Sequence, residues 1–288
     1  MSQSLHRIGG HKVTRFGYRE KGQGIGRDRM LDELVVEGNK ADVVIICKGF
    51  GGGDDITIVP EAIRSIGKQT VYWYPDCVEV AGMYPIDMAL ACDVVCATSL
   101  VSCNAFENYG HTKVNQIFEG FDPTVFAKRE TEKKRNVTFV GSADGDRGLL
   151  LTALESSDIP VDRPSAWTVD LSWVYSETRV ALNFVRGEIF SDRVVQILAS
   201  GAFCLTQGCR DLWCAFEPRR ELDVFMNWSD LVQKVKYWVE NEDEREAIAA
   251  TGHEAVQRFC WDEQMAKLVS VLEGESVSDG AFVPGGAT

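Results

Sequence analysis

Short apolar runs rich in β-branched residues alternate along this chain with longer amphipathic stretches. That alternation predicts strand–helix units and parallel sheets. In the first half the predicted strands are "KVTRFGY" (Lys12 to Tyr18), "DVVIIC" (Asp42 to Cys47), "TVYWY" (Thr70 to Tyr74), "DVVCATS" (Asp93 to Ser99) and "VNQIF" (Val114 to Phe118). Between them "PEAIRSIG" predicts a helix with Pro60 in its first turn and Gly67 past its end. The charged stretch "KRETEKKRN" (Lys128 to Asn136) has no apolar face and is read as a linker. The pattern then restarts. "NVTFVG" (Asn136 to Gly141), "IPV", "RVALNFV", "AFCLT" and "ELDVFM" are strand-like, and "DRGLLLTALESS" is helical. Three helical segments close the pattern, "WSDLVQKVKYWVEN", "EDEREAIAATGHEAVQRF" and "WDEQMAKLVSVLEG", with Ser229 expected to cap the first. The expected division is a domain over 1–128, a second over 129–275 and an unstructured tail over 276–288.

Composition narrows the class. The 288 residues are 45% hydrophobic, enough for two modest cores. A formal charge of −13 counts against broad binding to a polyphosphate backbone, though a local basic site is compatible with it. The nine cysteines lie in apolar runs or singly, with no zinc-ligand spacing, and are read as reduced core residues of a cytoplasmic protein. The start, "MSQSLHRIGGHKV", lacks the apolar run of a signal peptide, and no apolar segment is long enough to span a bilayer.

Two stretches carry candidate chemistry. In "TFVGSADGDRGLLL" a strand ends near Val140, a glycine and small polar residues follow, and a helix begins near Asp146. Amides at such a helix start attract phosphate, and Arg147 adds a cation of fork geometry. The stretch is neither a P-loop nor a GxGxxG fingerprint. Asp144 and Asp146 either hold a divalent cation or cap the helix, and capping is the simpler reading. The second stretch, "NFVRGEIFSDRVVQILASGAFCLT", places Arg186, Glu188, Asp192 and Arg193 between core elements. Arg193 starts a helix where it meets either a diphosphate or a neighbouring acid. Gln196 lies one turn on, where its amide can reach a ribose hydroxyl or a base edge. Gly201 permits close helix–sheet approach.

Taken in order, "NVTFVGSADGDRGLLLTAL", "RVALNFVRGEIFSDRVVQILASGAFCLT" and "FEPRRELDVFMNWSDLVQKVKYWVENEDEREAIAATGHEAV" resemble the C-terminal half of the CgeB-like, spore-maturation-type glycosyltransferases, a branch near the group 1 glycosyltransferases. "ADVVIICKG", "VYWYPD", "CDVVCATS" and "YGHTKVNQIFEGFDPTVF" resemble the N-terminal half. The resemblance covers roughly His11 to Glu275. It departs from the family at Gln196, where the family carries glutamate, and at the chain start, where the family's first strand and glycine-rich loop have no counterpart.

The resemblance implies a GT-B fold, two Rossmann-like domains facing across a cleft, with the N-terminal sheet short of its first strand. It implies a glycosyltransferase that moves a sugar from a nucleotide donor, a UDP-sugar, to a hydroxyl acceptor without a metal or a tightly bound cofactor. Gly141, Ser142, Arg147, Arg193, Gln196, Glu217 and Glu221 would hold the donor. Gly51, Gly52, Asp54 and His111 would lie on the acceptor side. Asp76, with Arg193, would carry the chemistry, Asp76 as the base if the anomeric centre inverts. A retaining reaction needs no such base, and the sequence leaves that choice open. The acceptor also stays open among a glycan, a protein, a small metabolite and a hydroxymethylated nucleic-acid base. A nucleotide-sugar-binding protein that has lost catalysis and a sugar-nucleotide epimerase are the alternatives.

Overall fold

The structure, a computed structural model, describes residues 1–50, 55–76, 82–185, 189 and 191–275. Its contacts divide the chain into two units: Met1–Phe118 with the chain from Met265, and Glu119–Gln264. Residues just past Phe118 already pair within the second unit. The Phe121 N–H donates to the Phe259 carbonyl at 3.2 Å, and the Trp261 N–H donates to the Phe121 carbonyl at 2.9 Å.

The first unit opens with helices α1 (Ser2–Gly9), α2 (Tyr18–Ile25) and α3 (Arg27–Gly38). A parallel sheet follows, β1 (Val43–Cys47), β2 (Gln69–Tyr74), β3 (Val94–Ala97) and β4 (Val114–Gln116), ordered as in sequence. Helices α4 (Pro60–Arg64), α5 (Tyr84–Ala89) and α6 (Leu100–Asn108) lie between these strands. β2 and β3 are the inner strands, and their Val71 to Tyr74 and Val94 to Ala97 are all buried, as a sheet covered on both faces requires. Tyr72 and Tyr74 stack on each other, and both meet the Phe106 ring edge to face in the core. Burial of each such side chain stabilises the fold by about 1.5–3 kcal/mol.

The sequence predicts a strand over Lys12 to Tyr18, and the structure has none there. The segment runs as irregular chain into α2, and its Phe16 and Tyr18 pack against the core half-buried. Alternating polarity is enough for a strand only where a neighbouring strand offers its backbone, and here none does. The first sheet therefore has four strands.

The second unit repeats the plan. β5 (Arg135–Phe139), β6 (Thr178–Asn183), β7 (Phe203–Gln207) and β8 (Asp223–Phe225) form a second four-stranded parallel sheet in sequence order. Around it lie α7 (Asp146–Glu155), α8 (Thr168–Ser176), α9 (Asp192–Ala199) and α10 (Arg210–Ala215). Then come α11 (Trp228–Glu240), α12 (Glu242–Ala255), a 3-10 turn over Val256–Phe259 and α13 (Trp261–Leu272), whose residues from Met265 belong to the first unit. The cap of α11 is Asn227, whose side chain accepts the Asp230 N–H at 3.0 Å, and not Ser229, which lies inside the helix. Asparagine satisfies the orphan amides as well as serine does, so local preference could not choose between them. Two buried charges join elements. Asp223 accepts from the Trp238 indole at 2.8 Å, and Arg245 donates to the Trp238 carbonyl at 2.8 Å. No helix among the described residues is long and apolar enough to cross a membrane.

Candidate functional site

In the second unit, the turn after β5 is shaped by two glycines. Gly141 has φ +150° and Gly145, the residue capping α7, has φ +57°. A Cβ on Gly141 would meet the Phe139 ring at 3.3 Å. The Ser142 hydroxyl donates to Asp144 Oδ1 at 2.9 Å, and no side chain caps α7. Helix starts of this kind attract anions, and in this one the Gly148 N–H already donates to the Gly145 carbonyl at 3.0 Å. Asp146 sits in that first turn, exposed, and no group of acidic, histidine or cysteine side chains suited to a metal occurs among the described residues. Arg147 is half-buried and donates from Nη2 to the Phe184 carbonyl at 2.8 Å. That bond holds its guanidinium at the carboxyl end of β6, the strand beside β5.

The start of α9 is fastened to the same edge. The Ser191 hydroxyl donates to Asn183 Oδ1 at 3.1 Å, and Asn183 Nδ2 donates to Thr206 Oγ1 at 2.9 Å. This ladder ties the ends of β6 and β7 to the first turn of α9. Arg193 is half-buried there. It stands beside the Tyr175 phenol, which is 0% exposed. Burial pushes the Tyr175 hydroxyl well above its ordinary range, and the Arg193 guanidinium opposes that rise. Gln196 donates from Nε2 to Asp192 Oδ2 at 2.7 Å, and its Oε1 is buried with no hydrogen-bond partner. A glutamate at this place would face the Asp192 carboxylate across one helical turn. Glutamine removes that repulsion and keeps a carbonyl oxygen as acceptor.

Gly141 and Ser142 thus follow β5, Arg147 bonds just past the end of β6, and Arg193 and Gln196 lie on the helix that follows β6; the carboxyl ends of adjacent parallel strands are where open α/β sheets hold ligands. Glu217 and Glu221 are engaged locally. Glu221 Oε2 accepts the Glu217 N–H at 2.9 Å and lies 3.7 Å from Arg258 Nη2. Glu217 pairs with Arg220 at 2.8 Å.

In the first unit, Asp76 follows β2 and Lys48 follows β1. Lys48 Nζ forms an ion pair with Asp76 Oδ2. Sequence reasoning missed Lys48. The available signal was a lysine between a strand end and a glycine run, in "CKGFGGG". His111 has both ring nitrogens on backbone groups: Nδ1 accepts the Lys113 N–H at 3.2 Å and Nε2 lies 3.1 Å from the Cys92 carbonyl. Gly51, Gly52 and Asp54, like Arg186 and Glu188, lie outside the described residues. Five of the cysteines, Cys92, Cys96, Cys103, Cys204 and Cys209, are buried thiols outside any disulfide.

Among solved structures, the chain is similar to HepE from Anabaena in complex with UDP-glucose, at 13% identity and a TM-score of 0.69, over 94% of this chain and 88% of that one. It is also similar to sucrose-phosphate synthase from Thermosynechococcus elongatus, at 11% identity and a TM-score of 0.64, over 91% and 80%. A third is a glycosyltransferase from Rickettsia africae ESF-5, at 12% identity and a TM-score of 0.63, over 86% and 80%. At such identities the likeness shows the fold, which is GT-B. No curated protein matches the chain by sequence. A family profile described as glycosyl transferase-like matches residues 125–270, the stretch that holds Gly141, Arg147, Arg193 and Gln196. By that match over half its length, the chain belongs to the glycosyl transferase-like family.

Proposed function

We propose that this chain transfers a sugar from a UDP-sugar to a hydroxyl acceptor, with the donor held by the second unit. The observation that carries the reading is that α7, which has no side-chain cap, and α9, which bears Arg193 and Gln196, follow the adjacent parallel strands β5 and β6, with Arg147 bonded at the end of β6. The complex of HepE with UDP-glucose points to the same donor class. The ordered motifs in both halves favour the spore-maturation-type branch within the family.

In this reading the α7 amides and the two guanidinium groups neutralise the leaving diphosphate. The Gln196 carbonyl accepts a ribose hydroxyl. Asp76 takes the acceptor proton, the role that an inverting reaction requires of a base. The acceptor oxygen bonds to C1 of the sugar, and the bond from C1 to the phosphate oxygen breaks with its electron pair going to UDP. His111, held by backbone on both nitrogens, takes no part. Glu217 and Glu221 shape the turn beside the site through the bonds they already make. A glycan or a hydroxymethylated DNA base is the acceptor class that this reading carries.

The test is incubation of the purified protein with a panel of nucleotide sugars. Release of UDP with transfer of the sugar is the expected result, and inversion at the anomeric carbon is the outcome that a base at Asp76 requires. Tight binding without turnover identifies a protein that has lost catalysis, interconversion of the sugars identifies an epimerase, and either outcome overturns the proposal.

A further inference from the structure

Lys48 directly follows β1, and Asp76 closes the turn after β2, its partner strand, in which Trp73 pairs with Cys47. The two side chains therefore meet at the carboxyl edge of neighbouring strands although 28 residues separate them. Lys48 has φ +61°, in the left-handed region that disfavours any residue with a Cβ. Gly49, next along, has φ +80°. The backbone is fastened in this conformation from several sides. The Lys48 N–H donates to the Trp73 carbonyl at 3.0 Å, and the Tyr72 hydroxyl donates to the Lys48 carbonyl at 3.1 Å. The Gly49 N–H donates to the Cys47 carbonyl at 2.7 Å, and the Gly49 carbonyl accepts the Ile58 N–H at 3.0 Å, with the Tyr84 hydroxyl bonded to the Ile58 carbonyl beside it.

Asp76 is held as firmly. Ser102 Oγ donates to the Asp76 carbonyl at 3.1 Å, and Thr98 Oγ1 donates to the Pro75 carbonyl at 3.0 Å. The Lys48 ammonium lies 5.3 Å from the Phe50 ring centroid and pairs with Asp76 Oδ2. The paired side chains are 39% and 47% exposed, so the ion pair adds little to stability. Stability therefore does not explain a lysine where glycine would sit without strain. Strain kept at a pinned position beside a candidate base points to function.

We propose that Lys48 is a positioning residue for glycosyl transfer: it grips Asp76 Oδ2 and turns Oδ1 toward the acceptor hydroxyl. This rests on the reading of Asp76 as the base. In the step, the acceptor O–H bond breaks and its proton passes to Asp76 Oδ1. The oxygen joins C1, UDP leaves with the electron pair of the broken bond, and the carboxylic acid then returns its proton to water.

The experiment uses the full chain with UDP-glucose, water serving as acceptor, alongside UDP binding by calorimetry and thermal melting. Lys48→Met should lower kcat by about tenfold to a hundredfold, the scale of a misplaced catalytic group, with the donor KM and the UDP Kd unchanged. Lys48→Arg should restore most of that rate. Lys48→Gly should lose the same turnover while its Tm holds or rises, because the strain is released. Wild-type kcat in Lys48→Met beside an inactive Asp76→Asn overturns the positioning role alone. So does a Tm for Lys48→Gly that falls well below that of Lys48→Met. Normal turnover in Asp76→Asn removes the base, and with it this inference. A wild-type protein that binds UDP but turns over no nucleotide sugar overturns the transferase reading itself.

Discussion

Arg193 illustrates how one residue's burial assigns it a task. A cation in the first turn of a helix is unfavourable against the helix dipole, and half-burial withdraws part of its hydration. An incoming diphosphate offsets both costs. Arg193→Ala is expected to lower kcat/KM by about a hundredfold, the scale of losing one fixed donor to a leaving oxyanion, with no loss of Tm. Steady-state kinetics beside thermal melting checks both halves, and near-normal activity would refute the phosphate role. Arg147 was equally visible in the sequence, but its bond to the Phe184 carbonyl was not, because that bond joins positions 37 residues apart. The Gln196–Asp192 bond was within reach of sequence reasoning, since the pair stands one helical turn apart.

At the level of elements, glycine decides how α12 seats against its neighbours. A Cβ on Gly252 would come within 2.1 Å of the Glu221 backbone carbonyl and 2.9 Å of Leu198 Cδ2 on α9. Backbone cannot yield as a flexible side chain does. Gly252→Ala is expected to destabilise the protein by about 3 kcal/mol, read from the shift in a urea unfolding midpoint. The same close approach places the Glu221 carboxylate near Arg258. The motif "EREAIAATGHEAV" showed a helix and its glycine, and only packing shows what that glycine must admit. The predicted strand over Lys12 to Tyr18 failed for the complementary reason. Its alternation is local, while a strand needs a partner supplied from elsewhere in the chain.

For the molecule as a whole, two separate apolar clusters serve two parallel sheets. The buried thiols make both cores sensitive to alkali. Burial pushes Cys92 and Cys96 up to about 12 from an ordinary 9.0, and Cys204 rises for the same cause. Below about pH 9 these thiols are protonated in both folded and unfolded chains, so their contribution to stability is complete. Between about pH 9 and pH 12 the unfolded chain loses those protons first, and that contribution is withdrawn. The urea midpoint is therefore expected to fall as pH rises above about 9. A Cys96→Ala variant should show a shallower fall, and an unchanged slope would contradict the assignment.

The sequence by itself determined the alternation of strands and helices, the parallel sheets and the two-part plan, because burial on both faces writes continuous apolar runs into inner strands. It also determined the turn at Gly141 and the helix starts that carry Arg147 and Arg193, since these depend on neighbours along the chain. Only the tertiary structure decided that Lys12 to Tyr18 pairs with nothing, that His111 is tied to backbone on both nitrogens, and that Lys48 meets Asp76. Each of these depends on which distant backbone lies alongside, and local preference carries no information about that.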